Sequence, residues 1–152
     1  MECYEGATMI KSFRGQIEDG EQNTILLHTN NGSTGYRILK FQVMLESPGV
    51  GGGTESICKI WKVKQTAVDG LVNFSDPTLL GAAYYVEQNA AGYPLSENII
   101  FDQEIFNQDI YITQKDVDGS HSINYYIELE QVKLDISQNT VATLKDMRMY
   151  NL

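Results

Sequence analysis

Positive charge is in short supply in this chain. Across 152 residues, eleven Lys and Arg stand against twenty Asp and Glu, a net charge of −9. Nucleic-acid backbones are bound chiefly by Lys and Arg that displace counterions from phosphates, and no such reserve exists here. The basic residues are also dispersed. Only Lys59, Lys62 and Lys64 crowd together, and a strand would split them between two faces. No nucleic-acid partner is expected, and the acidity reads as solubility and resistance to non-specific contact.

Cysteine is scarcer still. Cys3 and Cys58 are the only two, too few for a disulfide framework, and they read as unpaired thiols of a protein made in a reducing compartment. No run approaches the roughly 18 apolar residues of a membrane span, so no membrane partner is expected. The segment Met1-Glu2-Cys3-Tyr4-Glu5 is acidic and lacks the apolar core of a signal peptide. Synthesis in the cytoplasm is the expectation. Histidine is equally sparse: His28 and His121 both fall near the ends of β-like runs. They make a catalytic or metal pair only if the fold brings them together. Two separate, half-exposed rings are the expected outcome. No C-x-x-C or H-x-x-x-H spacing suggests zinc, and no G-x-S-x-G suggests a nucleophile elbow.

What the chain does contain is β-type sequence. Apolar residues make up 42%, enough to build a core. Nine Tyr stand beside five Phe and one Trp, and Tyr and Trp suit half-buried strands and interfaces. Short β-like runs alternate with turn residues: 9–18, 23–29, 36–45, 55–63, 82–88, 98–105, 109–115 and 123–136. Leu71 to Phe74 reads as a further short strand, and Asp76-Pro77-Thr78-Leu79-Leu80 as one helical turn. Thr140 to Tyr150 reads as a last strand or a short helix. Asp19-Gly20 is a strong hairpin signal, because type I′ turns need positive φ. Within 123–136 the apolar phase slips from Tyr125, Ile127 and Leu129 to Val132, Leu134 and Ile136, which predicts a β-bulge near Glu130-Gln131. The expected architecture is all-β: a two-sheet, jelly-roll-like β-sandwich of eight or nine mostly antiparallel strands over 9–152, preceded by a tail over 1–8.

Four stretches invite a chemical reading. Ser47-Pro48-Gly49-Val50-Gly51-Gly52-Gly53 is glycine-rich, but no helix start and no Gly-Lys-Ser/Thr follows it, so it reads as a surface loop rather than a phosphate cradle. Asp116-Val117-Asp118-Gly119-Ser120 resembles half of a calcium loop. His121 stands where the EF-hand glycine belongs and Ile127 where its glutamate belongs. A looser site using Asp116, Asp118 and a carbonyl stays open beside the plainer reading, a hairpin turn. Glu128 and Glu130 share a strand face, as a glycosidase pair would, or as any solvated face does. Trp61, Tyr84, Tyr85, Tyr93, Tyr125 and Tyr126 could stack on sugars; core edge or subunit interface is the stronger expectation.

Several stretches together carry a resemblance. They are Gly15-Gln16 with Asn23-Thr24-Ile25-Leu26-Leu27; Thr34-Gly35-Tyr36-Arg37-Ile38-Leu39-Lys40-Phe41; Phe106-Asn107-Gln108-Asp109-Ile110-Tyr111-Ile112-Thr113; Asn124-Tyr125-Tyr126-Ile127-Glu128-Leu129-Glu130; and Thr140-Val141-Ala142-Thr143-Leu144-Lys145-Asp146. In this order they resemble small proteins encoded by marine bacteriophages and uncultured marine viruses. The resemblance implies a virion component, whether capsid, decoration or minor structural protein, and it carries no catalytic residue. The expectation is therefore a viral structural protein and not an enzyme. It would partner itself as a homo-oligomer, together with other virion proteins, and reside in the virion. No catalytic, cofactor-binding or metal residue is predicted. The alternative is a carbohydrate- or receptor-binding β-sandwich, possibly of a phage tail, and it would show Trp61 or the tyrosines exposed in a groove.

Overall fold

Alternating apolar residues at Tyr125, Ile127 and Leu129 make one face of a strand that must be buried, and the structure is built around it. The computed structural model describes residues 9–49, 53–87 and 95–135. Eight strands lie among them: β1 (Ile10–Ile17), β2 (Gln22–Ile25), β3 (Thr34–Leu45), β4 (Thr54–Trp61), β5 (Leu79–Glu87), β6 (Leu95–Ile100), β7 (Ile110–Asp116) and β8 (Ile123–Lys133). The described residues contain no helix. The predicted tail over 1–8, the element at 140–150, Cys3, Tyr93 and the glycines at 51 and 52 lie outside the described residues.

The strands form two antiparallel sheets, ordered β1-β8-β3 and β2-β7-β4-β5-β6. The pairing is nested: β1 lies beside β8, β2 beside β7, and β4 beside β5. That is the jelly-roll scheme, a long hairpin rolled into two sheets. In that scheme β6 closes the fourth position beside β3. Here β6 instead hydrogen-bonds to β5. A side chain makes the remaining link, with Asn98 Nδ2 donating to the carbonyl of Phe41.

Asp19-Gly20 does turn the chain, with Gly20 at φ +77°. It does not make the predicted hairpin, because β1 and β2 belong to different sheets. A type I′ turn needs positive φ at both central residues, and no non-glycine residue among those described has it. Asp116–Ser120 is corrected in the same way: it carries the chain from β7 in one sheet to β8 in the other. The bulge is also displaced. β8 runs through Glu130 and Gln131 in unbroken register with β3, and the irregularity falls in β3, between Ile38 and Lys40. One extra residue there lets Ile38 and Phe41 both face inward, each wholly buried. Leu71 to Phe74 is not a strand. Asp76 does cap a turn, accepting from Thr78 N at 2.9 Å, but Leu79 and Leu80 then enter β5 rather than a helix.

Between the sheets, Ile17, Ile38, Phe41, Ile60, Leu80, Ile110, Ile112, Ile123, Ile127 and Leu129 are all essentially inaccessible. β4 is covered on both faces. Its inner residues Cys58 and Ile60 join the core, while its outer residues Lys59 and Trp61 are buried as well. Lys59 Nζ donates to Asp69 Oδ1 at 3.2 Å and to the Leu71 carbonyl at 2.5 Å, and it stands 5.0 Å from the Trp61 ring. The segment 62–78 is thereby strapped over the outer face of β4.

Because β8 is the central strand of the smaller sheet, Ile127→Ala removes packing that nothing nearby can replace. It is expected to cost about 2–5 kcal/mol, read as a fall in urea midpoint with an unchanged slope.

Candidate functional site

The two histidines are not brought together. His28 Nδ1 lies 2.7 Å from Asp109 Oδ1, and His121 Nδ1 lies 2.9 Å from Asp116 Oδ2. Asp109 immediately precedes β7 and Asp116 ends it. At about 3.3 Å per residue the two pairs stand roughly 20 Å apart, too far to share a metal or a substrate atom. Each aspartate also organises backbone. Asp109 Oδ1 accepts from Leu27 N at 2.8 Å and His28 N at 3.0 Å, which fixes the chain as it leaves β2.

Asp116 is the more heavily engaged. Its Oδ1 accepts from Glu55 N at 3.0 Å and Asp118 N at 3.1 Å. Its Oδ2 accepts from Thr54 Oγ1 at 3.1 Å, His121 N at 3.0 Å and the His121 ring at 2.9 Å. Burial pushes the Asp116 carboxyl up, but the Glu55, His121 and Asp118 N–H groups and the His121 ring outweigh it and draw it down to about 2. A carboxylate has about four lone-pair sites, and five donors already compete for them. No calcium can take Asp116 without breaking this set, and no group of three metal-ligating side chains exists among the described residues. Asp116 thus acts as a structural clasp, to which Asp118 contributes its backbone N–H.

The folded carboxyl titrates at about 2, below its ordinary 3.8, so its ionised form favours the folded state. That contribution is complete above the unfolded value and is lost as pH falls from about 4 towards 2. Asp116→Asn places an amide donor against N–H donors. It should cost about 1–3 kcal/mol near neutral pH and flatten the acid limb of the stability curve, as chemical denaturation at several pH values will show. Added calcium should leave the wild-type thermal midpoint unmoved.

Glu128 and Glu130 do share the outer face of β8, but each is committed. Glu130 pairs with Arg37, and Glu128 Oε1 accepts from Tyr126 Oη at 2.7 Å. Of the aromatic residues weighed for sugar stacking, Trp61, Tyr85 and Tyr125 are buried. Trp61 Nε1 donates to Thr113 Oγ1 at 2.9 Å, which makes it a packing residue. Tyr84 and Tyr126 are half-buried and reach the surface. Of the three crowded lysines, Lys59 and Lys62 are buried and Lys64 is exposed. Lys62 Nζ donates to Glu104 Oε2 at 2.8 Å, so no basic patch forms from them.

Two surface features escaped the sequence. The first is a cleft of about 900 Å³ whose walls include Arg14, Gln42, Met44, Asn98, Asn124 and Tyr126. Register explains it: Arg14 sits opposite Tyr126, which sits opposite Gln42, and Asn124 sits opposite Met44. These positions alternate with the buried Ile127 and lie on the outer face of the three-stranded sheet, while Gly15, Val43 and Tyr125 of the opposite parity and Ser96 of β6 also line the cleft. The second feature is apolar. Leu71, Val72 and Phe74 of the strap and Ile99 of β6 are 75%, 46%, 53% and 47% exposed. Val72, Phe74 and Ile99 line a groove of about 280 Å³ with Ile57, Ala82 and Tyr84. The signal for this patch was present in Leu71-Val72, apolar residues with no alternating partners. The cleft had no comparable signal, because its residues come from four strands.

No family model matches the chain, and no curated protein matches it. A solved structure of Bacillus endospore appendages, described as a novel family of disulfide-linked pili, covers 89% of this chain and 97% of its own at 12% identity and a TM-score of 0.29. A likeness of that degree carries no argument here.

Proposed function

We propose that the chain is a structural subunit of a virus particle, as capsid, decoration or minor virion protein, assembling with itself through symmetric contacts. The nested strand order, β1-β8-β3 against β2-β7-β4-β5-β6, carries this reading. Apart from the place of β6, it follows the eight-stranded jelly-roll scheme used by viral capsid and lectin domains. Fold alone does not assign function, so the surface matters as well. Exposed, contiguous apolar residues mark interaction sites, and Val72, Phe74 and Ile99 line one groove, with the exposed Leu71 next in the chain. A chain of charge −9 suits the outside of a particle better than its nucleic-acid-facing side. In this reading the protein is made in the host cytoplasm and resides in the virion. Its partners are further copies of itself and other virion proteins, with neither nucleic acid nor membrane among them.

The resemblance of residues 9–148 to small proteins of marine phages points the same way. A second reading, a carbohydrate- or receptor-binding module, is favoured by one observation: the open polar cleft bearing Tyr126.

The mass of the purified protein by light scattering, followed by electron microscopy of the same sample, tests the first reading. A closed ring, a trimer or shell-like particles are expected. Leu71→Asp should shift the population toward monomer without lowering the thermal midpoint, because that side chain is 75% exposed. A strict monomer at high concentration, with no affinity for any particle, overturns it.

A further inference from the structure

We infer that the cleft lined by β1, β8, β3 and β6 binds an oligosaccharide, neutral or carboxylate-bearing rather than cationic. This deepens, and rests on, the second of the two readings above. The cleft holds about 900 Å³, within the roughly 300–1,000 Å³ of small-molecule sites. Its chemistry is unlike the rest of the surface. The chain has twenty Asp and Glu, yet none of them is among the described residues that line this cleft. In their place are three carboxamides, Gln42, Asn98 and Asn124, with Ser96 and Arg14.

Each carboxamide offers both donors and an acceptor, and the guanidinium offers a planar fork of donors. Sugar hydroxyls, which both donate and accept, need that mixture. Part of it is uncommitted. Arg14 makes no ion pair among the described residues. Asn124 uses Oδ1 to accept from Gln16 Nε2 at 3.2 Å, which leaves its own amide N–H groups for a ligand. Asn98 spends one amide donor on Phe41 and keeps its oxygen.

Apolar contact is supplied from the same row. The Tyr126 ring and the 61%-exposed Met44 border the cleft, giving the C–H faces of a pyranose something to pack against. Tyr126 is not a loose side chain, since its hydroxyl is tied to Glu128. A ring held in place loses little freedom when a ligand lands on it. Arg14, Tyr126 and Gln42 run in cross-strand register, and Asn98 of β6 is tied beside them through the Phe41 carbonyl. They therefore mark a line across the strands that suits an extended chain of sugars.

The full-length protein is to be screened on an array of neutral, uronate-containing and amino-sugar bacterial and algal glycans. The strongest hit is then titrated calorimetrically as the free oligosaccharide. Binding to neutral or uronate glycans is expected, weakened about tenfold or more by Arg14→Ala and by Gln42→Ala, the scale of one good hydrogen-bonding side chain. Both side chains are exposed, so folding is not at issue. Leu71→Asp, on the other sheet, should bind as wild type does. If glycans bind but Arg14→Ala and Gln42→Ala leave affinity unchanged, the cleft is not the site, although the carbohydrate-binding reading survives. If only cationic amino sugars bind, the assigned chemistry is wrong. If nothing on the array binds, both fail.

Discussion

One buried carboxylate holds the corner at which the chain passes from one sheet to the other. Asp116 ends β7, and its two oxygens gather the start of β4 through Thr54 and Glu55 and the crossover through Asp118 and His121. Asp19, at the opposite crossover, joins the same corner by accepting from Asp116 N at 2.8 Å and from Lys115 Nζ at 3.3 Å. The two inter-sheet connections, β1 to β2 and β7 to β8, are thus fastened to each other. In a nested roll these strands must lie side by side in both sheets, so the register of β1 on β8 and of β2 on β7 descends from this corner. A charge can sit there because every lone pair is met; an uncompensated buried carboxylate would cost far more than the clasp returns.

Strand existence was legible in the sequence wherever one face was buried. The parity of Tyr125, Ile127 and Leu129 marked β8, and Ile110, Ile112 and their neighbours marked β7, because an alternating face is a local property. Partnership was not legible. Asp19-Gly20 and Asp116–Ser120 have hairpin chemistry, yet each links different sheets, since turn residues record a local bend and say nothing of which strand lies alongside. The bulge shows the same limit. The slip in the apolar phase of β8 predicts an irregularity of β8, whereas the strand that absorbs an extra residue is its neighbour β3, near Leu39. Buried Lys59 and Lys62 are a further case: their burial depends on partners that local sequence does not disclose, Asp69 and Leu71 of the strap for Lys59 and Glu104, after β6, for Lys62.

The candidate sites divide in the same way. Those proposed from contiguous sequence centre on Asp116 and on the Glu128/Glu130 pair, whose carboxylates are engaged by the protein's own donors. The surfaces with capacity to spare were assembled across strands. Arg14, Gln42, Asn98 and Asn124 are unremarkable in their local contexts and meet only through the cross-strand pairing of β1, β8 and β3 and the approach of β6.

The two sheets therefore present opposite characters to solvent. The outer face of β1-β8-β3 carries paired charges, amides and a tethered tyrosine, while the five-stranded sheet exposes an apolar ridge where the strap meets β6. This asymmetry makes the two functional readings compatible rather than exclusive. A subunit that packs against its neighbours through apolar side chains on one sheet leaves the other sheet facing outward. Polar side chains can remain uncommitted on that outward face, because water satisfies them until a ligand arrives. The displacement of β6 from the three-stranded sheet to the five-stranded one is what opens the cleft on the first sheet and lengthens the apolar surface of the second. A β6 hydrogen-bonded along β3 would close the one and shorten the other, so both surfaces trace to a single departure from the regular roll.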